Sequence, residues 1–273
     1  MTEVESPSLI ERILAMLEES GKDLGNLTEH DLAPLDQFHN GGTWATRKLM
    51  GLAEIPQGSH VLDVGGGIGG PARTLAREFG VKVTVLDRSS DFCLAGARLT
   101  SMIDTSSPVR FVCGDALALP LADASVDAIL LQNAAMNIAD RTLLTTELFR
   151  VLRPGRRLAL QEVTTGPVEP VRYPTPWAVD ETESFLLSSA DAQAALFGAG
   201  FRTLHWLDAS GLIQSWVKAR IGSSPGKPPL PPMTAFTIPE QCDEAIANMW
   251  RNSEERRTLT IWAVLEKPEG ASA

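Results

Sequence analysis

The sequence has few cysteines and no excess of positive charge. Its 273 residues include three cysteines, Cys93, Cys113 and Cys242, and no CxxC or HExxH motif. We therefore expect neither a disulfide framework nor a zinc or other metal site. Lys and Arg number 24 against 34 Asp and Glu, which gives a net charge of −10. Proteins that bind nucleic acids neutralise phosphates with a basic surface, so this balance argues against a nucleic-acid partner.

Long apolar runs are also missing. No stretch approaches the roughly 20 apolar residues that a membrane-spanning helix needs. The first 20 residues carry five glutamates instead of the apolar centre of a signal peptide. Together with the few cysteines, these absences favour a cytoplasmic protein without a membrane span, and they leave a homo-oligomer possible.

The most informative segment present is VLDVGGGIGG at 61–70. The apolar residues Val61, Leu62 and Val64 indicate a buried strand. The glycines that follow let the backbone turn tightly and approach a ligand closely, and PARTLAREFG then has the apolar spacing of a helix. This order of strand, glycine turn and helix is typical of cofactor sites for nucleotide-like ligands in α/β sheets.

The glycines alone do not identify the cofactor. Gly65, Gly67 and Gly70 also satisfy the dinucleotide fingerprint. However, Asp63 precedes Gly65 by two residues, and the resulting D-x-G-x-G-x-G pattern resembles motif I of class I S-adenosylmethionine (SAM) methyltransferases. An acid at this place suits the ammonium group of SAM and would repel a pyrophosphate. A glycine turn without any ligand is the alternative interpretation.

Seven apolar segments alternate with helical patterns along the chain. After the strand at 61–64, strands are predicted at 82–86, 109–113, 126–131, 157–161, 201–207 and 259–265. Such alternation predicts an α/β fold, a Rossmann-like, doubly wound, seven-stranded and mainly parallel sheet with helices on both faces. We expect an N-terminal helical cap over 1–56, a SAM-binding core over 57–207, an insertion over 208–257, and the last strand with a tail over 258–273.

The stretch 208–257 interrupts this alternation. It contains the proline-rich segment SSPGKPPLPP at 223–232 and then a predicted helix over 239–251. A connection of this length in a compact domain is usually functional or disordered. We interpret it as a helical lid or a dimer element, and a helical excursion packed on the sheet edge is the alternative.

Polar side chains fall where the predicted strands end. Asp87 follows the second strand, where a carboxylate can accept hydrogen bonds from both ribose hydroxyls, and Arg88 can pack on an adenine ring. Asp115 follows the third strand, and Gln132 ends the fourth. Ligands of open α/β sheets bind at the carboxyl ends of the strands. A single Asp in such a place is more often a turn residue, but two of them in register with 61–70 favour a binding site.

The run from about residue 36 to 201 resembles a family of small-molecule methyltransferases that includes the ubiquinone/menaquinone, tocopherol and sarcosine/dimethylglycine enzymes. The motifs that carry this resemblance are DQFHNGG at 36–42, VLDVGGGIGG at 61–70, LQNAAMNIAD at 131–140, RVLRPG at 150–155, YPTPW at 173–177 and GAGF at 198–201. The resemblance implies SAM as cofactor, with S-adenosylhomocysteine (SAH) as product, and a small-molecule acceptor.

The resemblance also implies roles for particular residues. Those implied to hold the cofactor are Gln37, Asp63, Gly65, Gly67, Asp87, Arg88, Asp115, Ala116 and Gln132. His39, in the loop before the core, is the leading candidate for a general base, and a role in SAM binding alone is the alternative. Glu162 is the second candidate base. Trp177, Phe185 and Trp216 are candidates to line an apolar acceptor pocket, although packing residues would look the same.

These observations favour methyl transfer to an O, C or N atom of a small organic molecule in natural-product metabolism, with O or C favoured over N. Two alternatives remain at this point. A protein can bind SAM without transferring its methyl group and catalyse a cyclisation or rearrangement. A nicotinamide-dependent oxidoreductase is disfavoured by Asp63 and Asp115.

Overall fold

A single seven-stranded sheet forms the centre of the molecule. The computed structural model describes residues 7–103, 108–223 and 232–270. The sheet has the order β3-β2-β1-β4-β5-β7-β6. Its strands are β1 (His60–Val64), β2 (Lys82–Asp87), β3 (Val109–Cys113), β4 (Val126–Gln132), β5 (Leu152–Thr165), β6 (Arg202–Asp208) and β7 (Thr258–Glu266).

Strands β1 to β5 pair in parallel, and β7 runs antiparallel to both of its neighbours, β5 and β6. The predicted fold class, a Rossmann-like and mainly parallel seven-stranded sheet, is confirmed. Because β1, β2 and β4 are parallel neighbours, their carboxyl ends meet at one edge of the sheet. That edge is where the candidate site lies.

Helices cover both faces of the sheet, as predicted. They are α1 (Leu9–Glu19), α2 (Glu29–Asp36), α3 (Gly42–Ala53), α4 (Gly70–Phe79), α5 (Ser90–Ser101), α6 (Arg141–Val151), α7 (Ser189–Gly198), α8 (Ser210–Ser223), α9 (Thr234–Thr237) and α10 (Cys242–Glu254). Successive residues of a strand point to opposite faces. Leu62 accordingly packs in the core cluster with α6 and α7, and Val61 packs in the cluster with α3 and α4. No described helix has the length and hydropathy that crossing a bilayer requires.

The N-terminal segment is more helical than the sequence indicated. Its polar stretch up to residue 36 contains α2, which begins with a capping box between Thr28 and Asp31. A buried ion pair joins the end of α2 to α4, with Arg73 2.7 Å from Asp36. A Cβ on Gly70 would clash with Asp36, so glycine at 70 permits this close packing. The pair fixes the chain immediately before the loop at 37–41.

The stretch 208–257 divides into two parts with different surroundings. Helix α8 packs on the sheet through Ile213, and Ala209, immediately before the helix, belongs to the same core cluster. By contrast, α9 and α10 line the cavity described below, as a lid would. The proline-rich segment predicted at 223–232 falls mostly on 224–231, outside the described residues. The division into four parts at residues 57, 208 and 258 stays a prediction.

Candidate functional site

The glycine turn between β1 and α4 provides an open backbone cradle. Gly65, Gly67 and Gly69 have φ angles of +67°, +57° and +83°, a region that residues with a Cβ rarely adopt. The Gly65 N–H donates to the carbonyl of Leu86 at 2.7 Å, which joins the turn to the end of β2. A Cβ added at Gly67 would meet no atom within 4 Å, so free space lies beside this part of the turn.

Asp63 is a buried carboxylate with an unsatisfied oxygen. Its residue is 1% exposed, and its Oδ2 has no hydrogen-bond partner among the described residues. Burial, with a smaller contribution from the carboxylate of Asp87, raises the pKa of Asp63 to about 7. A Cβ on Gly66 would come within 2.6 Å of that oxygen, so the turn wraps tightly around the acid. Buried charges are normally paired, and an unpaired one at this edge of the sheet fits a cationic ligand group.

Asp87, at the end of β2, faces the same turn. The Gly67 N–H donates to its Oδ2 at 3.0 Å, and the Ser89 N–H donates to its Oδ1 at 2.9 Å. Burial raises the pKa of Asp87, and these two backbone hydrogen bonds oppose the rise. The structure therefore places Asp63, Gly67 and Asp87 together, as the sequence predicted.

The residues predicted around an adenine ring lie at the same edge but differ in exposure. Arg88 and Asp115 are exposed, and Ala116 is buried in the core. The Leu117 N–H donates to Asp115 Oδ1 at 2.9 Å, which is the turn geometry recognised as the alternative for this residue. Their role in adenine binding stays a prediction.

A cavity of about 420 Å³ opens at the same edge of the sheet, where Asn133 of its lining precedes Ala134, the residue with which a Cβ on Gly65 would clash. Its walls come from Phe92 and from the segments 37–40, 133–137, 176–183 and 232–250. Most of the lining is apolar or aromatic, with Trp177 and Trp250 contributing the largest rings. Among the lining residues that the structure describes, Glu183 is the one carboxylate and none is Lys or Arg. Such a lining suits a small organic molecule with little charge.

His39 lines this cavity from the loop between α2 and α3. Its Nε2 lies 2.9 Å from the Thr46 hydroxyl and 3.1 Å from the Gly42 carbonyl oxygen. Burial lowers the pKa of His39 to about 4, and the Gly42 hydrogen bond opposes this only in part. The imidazole is therefore neutral at pH 7.

Two glutamines predicted to contact the cofactor lie close to this site: Gln37 lies in the loop before α3, and Gln132 ends β4. Gln37 lines the cavity, and its buried Oε1 has no hydrogen-bond partner among the described residues. Gln132 is 7% exposed and forms hydrogen bonds with Thr46 and Gln161. Both were predicted as cofactor contacts, and that role stays a prediction.

The structure does not bring three predicted residues to the cavity lining, and their roles stay predictions. Glu162 is buried against Arg141, at 2.5 Å, so its carboxylate is neutralised away from the cavity. Phe185 is 38% exposed and lies outside the lining. Trp216 stacks on Trp44 with ring centroids 5.7 Å apart, because α8 packs against α3. Trp177, in contrast, does line the cavity.

Most residues of the cavity wall were not among the site residues predicted from the sequence. Ile246, Met249 and Trp250 line it from α10, and their i, i+3, i+4 spacing is the signal that could have indicated a shared helix face. Asn133 lines it with a φ of +50°, in the left-handed region that asparagine adopts more readily than most residues with a Cβ.

Comparisons with known proteins agree with this architecture. Residues 62–160 match a family model described as a methyltransferase domain. A ubiquinone/menaquinone biosynthesis C-methyltransferase from Paracoccus denitrificans is 35% identical over 143 residues, which are 51% of this chain and 57% of that protein. The chain spans about half the length of the curated relatives it matches.

Two solved structures share the fold. Geranyl diphosphate C-methyltransferase from Streptomyces coelicolor, crystallised with S-adenosyl-L-homocysteine, has a TM-score of 0.63 and 17% identity, with 82% of this chain and 78% of that one covered. The (4+2)-cyclase SpnF also has a TM-score of 0.63, with 20% identity and 97% and 98% coverage. These likenesses show that the chain shares the Rossmann-like fold of the solved structures, and residues 62–160 are similar to a methyltransferase domain.

Proposed function

We propose that this protein is a SAM-dependent methyltransferase that acts on a small organic acceptor. The observation that carries the proposal is the unsatisfied carboxylate oxygen of Asp63 at the glycine turn, at the sheet edge where Asn133 lines a largely apolar cavity and the neighbouring Ala134 packs on Gly65. An unpaired buried carboxylate costs folding free energy, and a ligand cation would compensate that cost. The sequence relatives of the domain, which are named as methyltransferases, support the same activity.

The residues present fit SAM. Asp63 can accept hydrogen bonds from its ammonium group, the open space at Gly67 can admit it, and Asp87 can accept hydrogen bonds from its ribose hydroxyls. When bound, SAM would supply a methyl group activated by the positively charged sulfur, and SAH would be the leaving group. The chain's own contribution is to hold the acceptor in line with that methyl group and to exclude water.

The cavity favours an uncharged, largely apolar acceptor. An anionic substrate would find no described Lys or Arg side chain to balance its charge there. Burying an unpaired anion among Trp177, Met249 and Trp250 would cost several kcal/mol. We therefore propose an uncharged, largely apolar natural product that is methylated on oxygen or carbon.

His39 has a defined part in this proposal. An acceptor hydroxyl must lose its proton when its oxygen gains a methyl group. Because its pKa is lowered to about 4, His39 is a weak base but a neutral hydrogen-bond acceptor throughout the physiological pH range. We propose that His39 orients the acceptor hydroxyl and takes up its proton as the oxygen gains the methyl group, because a protonated ether oxygen is a much stronger acid than an imidazolium with a pKa of about 4.

Helices α9 and α10 complete the proposal. They supply the outer wall of the cavity, so we propose that the part of 208–257 after α8 is a lid over the acceptor. The low number of cysteines supports a reducing, cytoplasmic location.

Calorimetry followed by product analysis tests the function. We expect SAM and SAH to bind and NAD to give no heat. Incubation of SAM carrying an isotopically labelled methyl group with a small-molecule extract of the source cells should then yield a labelled product and one SAH per methyl group. Conversion of a substrate without SAH would replace the proposal with a cyclisation or rearrangement, and binding of NAD instead of SAM would replace it with an oxidoreductase.

A further inference from the structure

The tryptophan Trp262, in the middle of β7, sets the direction of a buried series of hydrogen bonds. Its indole Nε1–H can only donate, and it donates to Gln161 Oε1 at 3.0 Å. The Gln161 amide is thereby oriented with its nitrogen on the other side, where it donates to the Asn40 carbonyl at 2.9 Å. A carbonyl can only accept, so both contacts require the same orientation of this amide.

Gln132 continues the series in one orientation. Its Nε2 donates to Gln161 Oε1 at 3.3 Å, which turns its own oxygen towards Thr46. The Thr46 hydroxyl lies 3.1 Å from that oxygen and donates to it. The single hydrogen of the Thr46 hydroxyl is therefore committed to Gln132, and only a lone pair of that hydroxyl remains for His39.

His39 Nε2 faces two groups that can only accept. One is this lone pair of Thr46, at 2.9 Å, and the other is the Gly42 carbonyl oxygen, at 3.1 Å. A favourable contact with both requires a hydrogen on Nε2. In the neutral ring the lone pair is then on Nδ1, which forms no hydrogen bond with any described residue.

We propose that a relay of buried side chains fixes the neutral His39 ring as the tautomer that carries its hydrogen on Nε2. The relay consists of Thr46, Gln132, Gln161 and Trp262. Resting on the proposed function, the inference assigns these four as positioning residues. The Nδ1 lone pair of His39 then accepts a hydrogen bond from an acceptor O–H or N–H group in the cavity.

Burial makes the relay a strong constraint. Thr46 and Gln161 are fully buried, and Trp262 is 3% exposed. Water cannot satisfy a group that has lost its partner in such surroundings, so reversing one hydrogen bond leaves a donor facing a donor or an acceptor facing an acceptor. The effect of a fixed donor on β7 therefore extends through three side chains to the cavity wall.

Nitrogen NMR of the cofactor-free protein tests the proposal directly. With ¹⁵N-histidine labelling, two-bond correlations separate the two neutral tautomers, and His39→Ala identifies the signals of this ring among four histidines. We expect wild-type His39 to show the Nε2–H pattern at pH 7. The opposite pattern would overturn the proposal. Because this readout needs neither SAM nor an acceptor, it is independent of whether the protein transfers methyl groups.

Substitutions test the relay itself. Trp262→Phe removes one of the two groups that orient the Gln161 amide and leaves the Asn40 carbonyl as the other, so we expect a partial shift of the His39 signals towards a mixture of tautomers. Trp206→Phe is the matched control, because the Trp206 Nε1–H donates to Ser189 outside the relay. Unchanged His39 signals in folded Trp262→Phe would overturn the assignment of that residue.

A second pair of variants covers the case in which Trp262→Phe fails to fold. Thr46→Val keeps the shape of the side chain and deletes its hydroxyl, whereas Thr46→Ser keeps the hydroxyl. We expect the tautomer shift in the valine variant and recovery in the serine variant. In an active enzyme, kcat should fall about tenfold in Thr46→Val with an unchanged KM for SAM, corresponding to about 1.4 kcal/mol. The same His39 tautomer pattern in Thr46→Val and Thr46→Ser would contradict the relay.

Discussion

The two halves of the candidate site are built in different ways. The cofactor half takes its central features from 61–70 and from the ends of neighbouring parallel strands. The acceptor half is assembled from segments as far apart as 37–40 and 232–250. Local backbone geometry defines the first half, and tertiary packing defines the second. A resemblance in sequence therefore carries much information on the cofactor and little on the acceptor.

The two halves also differ in their chemistry. Asp63 and Asp87 give the cofactor half two carboxylates whose pKa values burial raises, close to backbone N–H groups. The acceptor half is walled mainly by rings and alkyl groups such as Trp177 and Trp250. Substitutions that alter charge or backbone space in the cofactor half should therefore change the affinity for SAM. Substitutions that alter side-chain volume in the acceptor half should change the KM for the acceptor.

The largest effect is expected for Gly67→Val. A branched side chain would adopt a φ of +57° only under strain and would fill the free space at the cradle. We expect SAM affinity to fall more than about 100-fold by calorimetry, which is about 3 kcal/mol or more.

Gly58→Val is the matched control for this change. Gly58 has a φ of +81°, and a Cβ there also meets nothing within 4 Å, but it lies before β1 at the opposite edge of the sheet. Both variants should lose similar thermal stability, and only Gly67→Val should lose binding. Normal SAM binding by folded Gly67→Val would remove the turn from the site.

Asp87→Ala should have the next largest effect. Removal of a charged acceptor of hydrogen bonds typically costs about 1.5–3 kcal/mol, so SAM affinity should fall about 10- to 100-fold. Asp115→Ala is the comparison variant at the same edge of the sheet. The exposed carboxylate of Asp115 accepts a hydrogen bond from the Leu117 N–H in its own turn. We expect a change within about threefold for Asp115→Ala. If Asp115→Ala lost more SAM affinity than Asp87→Ala, the main carboxylate contact to the cofactor would be Asp115 and not Asp87.

Asp63→Asn should weaken SAM binding about tenfold, about 1.4 kcal/mol, because the ammonium group loses its charged partner. The same variant should be more stable without ligand at pH 8. The pKa of Asp63 is about 7 in the folded state against an ordinary 3.8. Between these values the unfolded chain releases the proton and the folded protein keeps it, so wild-type stability falls as pH rises and the penalty is complete above pH 7.

Calorimetric melting checks this second effect. We expect a gain of about 1 kcal/mol, or about 2–4 °C in Tm, for Asp63→Asn at pH 8. The gain should be much smaller near pH 4, close to the ordinary pKa of 3.8, because the unfolded wild-type chain there also keeps part of its proton. A gain that is equal at pH 4 and pH 8 would show that burial of the charge is not its cause.

Trp250→Ala should have the smallest effect on the cofactor. Loss of this ring enlarges the acceptor half, so we expect KM for the acceptor to rise about tenfold or more while SAM affinity stays within about twofold. Phe197→Ala is the control, because this ring is 76% exposed and outside the cavity. A large loss of SAM affinity in Trp250→Ala would show that the two halves are not separable.

The sequence predicted the elements of the fold well because their signals are local. All seven strands lie where apolar runs were found, although β5 extends from Leu152 to Thr165 around the predicted core of 157–161. Helix α2 was missed because Pro34 and several acids dilute its apolar pattern, while Leu32 and Leu35 bury it. Capping boxes at Ser8 and Thr28 were available as signals for both N-terminal helices.

The candidate site was predictable only in part. Asp63, Gly67 and Asp87 are set by their places in the β1–α4 turn and at the end of β2, so the pattern of the chain locates them together. Glu162 was expected just after the fifth strand, but it lies within β5, where it forms a buried ion pair with Arg141 from α6. A sequence motif can predict where a strand ends, but it does not predict which side chain of another helix or strand will pair with a residue there.

The sequence by itself determined the sheet, the glycine cradle and its two acids. Strand periodicity and the left-handed φ angles of the glycines depend on neighbouring residues along the chain. Tertiary structure alone decided the acceptor cavity, the low pKa of His39, and the relay from Trp262 to that ring. These features depend on desolvation and on hydrogen bonds between α3, β4, β5 and β7, which exist only after the sheet and helices have packed.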